Sequence, residues 1–319
     1  MPGIDISALT ASLGAYHREK ASELYSKLLE KEYSMSLFST IAGIKDEYII
    51  TETEVSEILQ PYQKAWTPKG DIKFVPETLK VRRIKVDLPL DPIDLERSWE
   101  GKRIDGSLPE GQELLEGYIL SEVIKRIKKD LEFRLLFNGE YVAPTPGTPG
   151  GASTSFDGLL KIVSDAITAA KIVPVATGVL SQTNARESFE MVFDAVDSDY
   201  QTEQLVALCS PTLLRWYKRD YRAEFGNHQD YRGITGELQS VTIDGTNTEI
   251  VGCPGMAGSQ RIVITKKENL KRLIDGTSED SDFNLRFQVN RREIEVLGDF
   301  KMGVGMPIIK GLVWTNDQE

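Results

Sequence analysis

The chain has 319 residues with 40% hydrophobic and 27% charged side chains, and 38 Lys or Arg against 49 Asp or Glu give a net charge of −11. That length accommodates roughly two ordinary domains, the composition is too apolar for disorder, and the negative balance argues against specific binding to a polyanion. No stretch approaches the roughly 20 uninterrupted apolar residues of a membrane helix, and the start MPGIDISALTASLG lacks a signal peptide's basic end and apolar run, so a cytoplasmic protein without membrane contact is expected.

The first sixty residues read as an arm. A helical stretch, YHREKASELYSKLLEKEYS, carries Leu24, Tyr25 and Leu28 at helical spacing with Glu and Lys on the remaining face, which makes it an amphipathic helix seeking a partner surface. A second short helix is expected at EVSEILQPYQKA. From Trp66 to Leu90 the pattern becomes extended. The stretch WTPKGDIKF, a turn-like VPET and LKVRRIKVDLPL together predict a long hairpin, its strands salted with Lys69, Lys73, Lys80, Arg82, Arg83 and Lys85. A two-stranded ribbon is marginal alone in water, so this one needs support from its own body or from a neighbour.

A helix is predicted from about Leu108 to Phe137. Ser107 and Glu110 form a capping box, Pro109 sits in the first turn, and Asn138-Gly139 supplies the stop. Leu120, Ile124, Ile127, Leu131 and Leu135 fall in one stripe. The linker VAPTPGTPGGASTS leads to a helix in FDGLLKIVSDAITAAK, with Leu160, Val163 and Ile167 on one side, and another runs from Asn184 to Val196 behind a cap-like Asn184. The buried-type strand LVALC enters a helix with Ser210 as N-cap and Pro211 at its first position. The remainder reads mainly as strand: a hairpin turning at IDGTNT, RIVITKKENLKRLID as strand then short helix, and FNLRFQVNRREIEVL with a turn or bulge at NRR.

Catalytic machinery is not visible. GTPGGASTS lacks the Gly-Lys-Ser/Thr end of a phosphate loop, and there is no GxSxG elbow, HExxH or CxxC. The histidines His17 and His228 stand apart from the cysteines Cys209 and Cys253, which sit in apolar strand-like runs as small buried hydrophobes. Asp194, Asp197 and Asp199 are expected at a solvated helix end or turn, and Trp66, Trp99, Trp216 and Trp314 as core or interface anchors. No catalytic residue, cofactor or metal ligand is assigned.

The order of elements is informative: arm, basic hairpin, long helix, Gly-rich loop, helix, inserted α/β region, closing strands. This α+β order resembles the major capsid protein of tailed bacteriophages, the Hong Kong 97-type fold, over almost the whole chain. GGASTSFDGLLKIV is similar to the family's glycine loop and helix start, LVALCSPTLLRWYKRD to its strand entering a Ser-Pro-capped helix, and GCPGMAGSQRIVITKKENL to the segment before its final sheet. The resemblance implies an N-terminal arm over residues 1–60 and an extended hairpin loop over 61–93 that overlaps a neighbouring subunit. It also implies a peripheral domain over 94–173, containing the long helix as a spine, an axial domain over 174–282, and closing strands of the peripheral domain over 283–319. Trp66, Lys69, Lys73, Phe74, Arg82 and Arg83 are then the expected contacts between subunits.

The same resemblance implies a structural protein and no enzyme: pentamers and hexamers of one chain in a virion capsid, assembled in the host cytoplasm with scaffolding, portal and decoration proteins, in non-specific proximity to packaged DNA. Only a short arm precedes the hairpin, which argues against an internal scaffold segment. An encapsulin-like nanocompartment shell shares the expected architecture, and a carboxylate-dependent hydrolase is the alternative from another class.

Overall fold

The computed structural model describes residues 9–17, 19–20, 33–91, 115–225, 240–275, 284–290 and 293–318. A helix α1 (9–17) and a 3₁₀ turn at Tyr33–Leu37 precede strands β1 (Ser39–Ile41), β2 (Glu47–Val55), β3 (Ile72–Lys80) and β4 (Arg82–Leu90). Helices α2 (Leu115–Asp130), α3 (Leu159–Thr168) and α4 (Ala185–Asp194) follow, then β5 (Val206–Cys209) and α5 (Pro211–Phe225). Strands β6 (Ser240–Thr242), β7 (Glu249–Gly252), β8 (Val263–Thr265), β9 (Lys271–Ile274), β10 (Asn284–Asn290), β11 (Glu293–Gly305) and β12 (Val313–Thr315) complete a mixed α+β chain.

Among the described residues these strands form three sheets. The first runs β1-β9-β11-β10 with β4 laid along β11, the second runs β12-β8-β5-β7-β6, and β2 and β3 form a ribbon by themselves. Strand β5 shows how the first two share the interior. Side chains alternate across a strand, and all four of its residues are buried. Val206 and Leu208 face the large core with α2 and α3, whereas Ala207 and Cys209 face a second core under α4 and α5. A strand covered on both faces must be apolar throughout, which is why LVALC carries no polar residue.

The spine stripe is buried along its length, from Leu120 to Leu135. The expected start at Ser107, Pro109 and Glu110 lies outside the described residues. At its C-terminal end α2 widens into a π turn, Leu131–Leu135, in which the Leu136 amide reaches back to the Leu131 carbonyl at 2.8 Å. The extra residue in that turn lets Leu131, Leu135, Leu136 and Phe137 all enter the core. The next helix starts where this one ends, because the amides of Leu159 and Leu160 donate to the carbonyls of Leu136 and Phe137, both at 3.0 Å. Gly158 is required there, since a Cβ would lie 2.5 Å from the Phe137 carbonyl oxygen. The buried stripe of α3 is Leu159, Val163 and Ala166, with Leu160 and Ile167 only partly covered.

Several expectations are corrected. The ribbon pairs β3 with β2, not with the strand after it: Glu47 lies opposite Lys80 and Val55 opposite Ile72. VPET is therefore mid-strand, and the chain reverses through residues 56–71. Among the described residues neither edge of the ribbon containing Pro76 is paired, and at such an edge a missing amide donor is tolerated. Strand β4, carrying Arg82 and Arg83, instead joins the body by pairing with β11, Arg82 opposite Met302. EVSEILQPYQKA is the end of β2 and the connecting loop, not a helix.

The N-terminal segment is also less of an arm than expected. Leu9 and Leu13 of α1 pack on Ile119 and Ile294 of the same chain, Met35, Leu37 and Phe38 enter the large core, and β1 pairs in parallel with β9. Residues 21–32 of the expected amphipathic helix lie outside the described residues. The short helix after β8 is a single 3₁₀ turn that gives way to β9. Strand β12, within the 283–319 stretch expected as closing strands of the peripheral domain, pairs with β8 at the end of the second sheet. Asn184 caps α4 without bonding its amides: its Oδ1 accepts from the amide and hydroxyl of Ser181, and Asp220 of α5 accepts the Arg186 amide at 2.9 Å.

Candidate assembly surface

Directly opposed residues of an antiparallel pair share a face, so the register sorts the ribbon into two sides. One side holds Ile49, Thr51, Thr53 and Val55 of β2 with Ile72, Phe74, Pro76 and Thr78 of β3. These eight residues carry no charge and all are exposed, Phe74 at 67% and Ile49 at 61%, while the opposed Glu47 and Lys80 continue the same face at the ribbon's base. The other side, with Val75, Glu77 and Leu79, turns toward the body, where Leu79 packs with Val81 and Leu273. Isolated exposed apolar residues are ordinary, whereas an aligned uncharged strip is a candidate contact surface.

The loop at the ribbon tip is built, despite its exposure. Ser56 and Asp71 close its neck with paired hydrogen bonds, the Ser56 amide to the Asp71 carbonyl at 3.0 Å and the Asp71 amide to the Ser56 hydroxyl at 2.6 Å. Gln60 Nε2 donates to the Thr67 carbonyl at 2.7 Å, Gln63 Nε2 to the Thr67 hydroxyl at 2.6 Å, and Lys69 Nζ to the Leu59 carbonyl at 2.9 Å while pairing with Glu57. Gly70, at φ +101°, makes the return possible. On this frame Tyr62 and Trp66 stand 91% and 90% exposed. A fixed loop holding two bare aromatic rings is already in binding shape and gives up little entropy when covered.

Of the six expected contact residues, Trp66 and Lys69 lie at this tip and Lys73 and Phe74 on the ribbon. Arg82 and Arg83 are not with them. Arg82 lies 4.0 Å over the Tyr141 ring, and Arg83 pairs with Asp299 on the sheet beneath it. Ile72 shares the apolar alternation of Phe74, whereas Tyr62, Ile49 and Val55 were not singled out by sequence pattern. The available signal was the β-branched run from Ile49 to Val55, which fits strand better than the helix expected to begin inside it.

The ribbon's base is tied down. Lys171 Nζ meets Glu77 at 2.5 Å, Lys301 Nζ meets Asp275 at 2.9 Å and the Lys45 carbonyl at 2.9 Å, and the Val81 amide donates to the Asp46 carbonyl at 2.8 Å. Gly303 lets the chain cross close over β11, since a Cβ there would lie 2.2 Å from the Lys80 carbonyl oxygen. Among the described residues no group of three His, Cys, Asp or Glu is placed to hold a metal ion, and no helix is long and apolar enough to cross a membrane.

No family model and no curated protein sequence matches the chain. Among solved structures, a chain of the satellite phage P4 procapsid including the size determination (Sid) protein aligns with a TM-score of 0.61 at 13% identity, over 98% of this chain and 97% of that one. A chain from the capsid of the empty GTA particle gives 0.52 at 9% identity, over 87% and 86%. At such identities the likeness is one of fold alone, and with the P4 procapsid chain it runs nearly end to end: this polypeptide has the fold of a phage capsid protein.

Proposed function

We propose that the chain is the major capsid protein of a tailed bacteriophage, a non-catalytic subunit of Hong Kong 97-type fold that assembles as pentamers and hexamers into an icosahedral shell around double-stranded DNA. The observation that carries this reading is the exposed strip of eight uncharged residues on the ribbon of a chain whose fold matches procapsid and capsid chains. Each fully buried apolar side chain contributes roughly 1.5–3 kcal/mol. Ile49, Val55, Ile72 and Phe74 withhold that contribution from the monomer, and a second copy that covers the strip supplies it.

In this reading the overlapping loop is the β2–β3 ribbon. The peripheral domain is α2 with the first sheet, and the axial domain is α4 and α5 with the second sheet, including β12. Scaffolding, portal and decoration proteins are the expected partners, and the net charge of −11 suits a wall that lies beside DNA without adhering to it. Assembly occurs in the host cytoplasm and ends in the virion. Expression of the chain followed by light scattering and negative-stain microscopy tests the proposal: rings or hollow shells are expected, and a monodisperse monomer at every concentration, with scaffold partners present or absent, overturns it.

A further inference from the structure

Beside the ribbon's base lies a groove of about 300 Å³ between β3 and α3. Leu79, Ile162 and Met306 line its apolar part, and Lys80, Arg82, Asp157 and Asp165, with the Glu77–Lys171 ion pair, line a polar part of similar extent. That volume is at the lower end of the roughly 300–1,000 Å³ in which proteins hold an organic ligand, and it has room for one indole.

We propose that this groove receives Trp66 from the ribbon tip of a second copy of the chain. The inference rests on the shell-subunit reading above and names where one subunit's ribbon lands on the next. The ribbon itself argues for a second copy. Its strands are nine residues long, and at about 3.3 Å per residue they hold the tip roughly 30 Å from the groove at their own base. A tip fixed by its own hydrogen bonds on a paired ribbon cannot fold back that far, so any tip that fills the groove comes from another molecule. The contact is heterologous, tip to base, and each copy keeps a free tip and a free groove for further neighbours, as a ring or shell requires.

The buried area agrees with this. Two aromatic rings at a contact bury about 150–250 Å² each, well short of the roughly 1,200 Å² of a stable isolated pair. A lone tip-in-groove pair is therefore weak, and it holds only when several are made at once around a ring.

Cross-linking between two differently marked copies tests the assignment. Cys209 and Cys253 are buried, so a new surface thiol is the only one a reagent reaches. Ala65→Cys marks the tip and Ala169→Cys marks the groove, where Ala169 is exposed just after α3. A short bis-maleimide is expected to give covalent pairs when the two variants are mixed and assembled, and none when either is assembled alone. Particles that form from the mixture without hetero-pairs overturn the groove assignment and leave the shell reading standing. If even the unmodified chain forms no particles, the shell reading fails and the inference with it. As a second arm, Ala169→Trp plugs the groove at an exposed position. Unchanged melting is expected, with about a tenfold or greater rise in the concentration for half-assembly, as for loss of an aromatic anchor; unaltered assembly overturns the proposal.

Discussion

Tyr217 shows how one side chain reports on the second core. Its ring meets Phe189 edge-on at a centroid distance of 5.4 Å, and its hydroxyl accepts the Asp244 amide at 3.3 Å. Burial pushes its pKa up to about 12 from an ordinary 10.0. The neutral phenol is the form the fold favours, so its contribution is complete below pH 10 and is lost as the pH rises toward 12. Replacing Tyr217 by Phe removes that titration. The expected outcome is a shallower fall in melting temperature between pH 10 and 12 than the parent shows, at a cost near neutrality of about 1 kcal/mol for the lost hydrogen bond. Circular-dichroism melts across that range measure it, and parallel curves for the two proteins contradict it. The two thiols behave alike for the same reason: burial raises both Cys209 and Cys253. Neither is expected to react with a thiol reagent until denaturant exposes it, whereas stoichiometric labelling of the native protein would show that the sheet opens.

At the scale of elements, what the sequence discloses depends on how local the determinant is. The α2 stripe, the Ser210–Pro211 entry to α5, the IDGTNT turn and the reversal after Asn290 are written in adjacent residues, and each is found where its pattern puts it. Strand partnership is not written that way. β3 has a turn-like Val-Pro-Glu-Thr in its middle and basic residues on both sides, and only the register shows it pairing backward with β2 while β4 pairs with a strand more than two hundred residues away. Trp66 was legible as an anchor, but the company of Ile49, Val55, Ile72 and Phe74 on one face required that pairing. Packing at the spine's end gives a prediction of its own. A Cβ on Gly255 would lie 2.3 Å from the Glu132 carbonyl oxygen and 2.6 Å from the Phe137 ring, and Asn138 fixes the Gly255 carbonyl at 2.6 Å. Gly255→Ala is therefore expected to destabilise the fold by about 1–3 kcal/mol, as over-packing does. Leu120→Ala, in the middle of α2, should cost about 2–5 kcal/mol through a cavity. Denaturant midpoints measure both, and wild-type values would mean that the spine end and stripe are more loosely packed than these contacts require.

For the whole molecule the consequence is a separation of two stabilities. The cores that hold the monomer together lie under α2, α3, α4 and α5, and the exposed ribbon strip contributes to none of them. A charge placed on that strip leaves the monomer's burial untouched, yet it must be desolvated whenever another subunit covers it, at several kcal/mol per uncompensated ion. The Phe74→Asp and Ile49→Lys variants are accordingly expected to melt within about 0.5 kcal/mol of the parent, as exposed substitutions do, and to form no closed particles. The tip can be removed by the same logic. Val55 and Ile72 are the last opposed pair, so replacing residues 56–71 by Asn-Gly joins them through a two-residue turn of the kind that matches strand twist. That variant should keep the parent's circular-dichroism spectrum and melting temperature while its light scattering stays at the monomer value. Shells built by either kind of variant would place the subunit contacts elsewhere on the surface, because a ribbon that can be charged or cut back without penalty is not what holds neighbouring copies together.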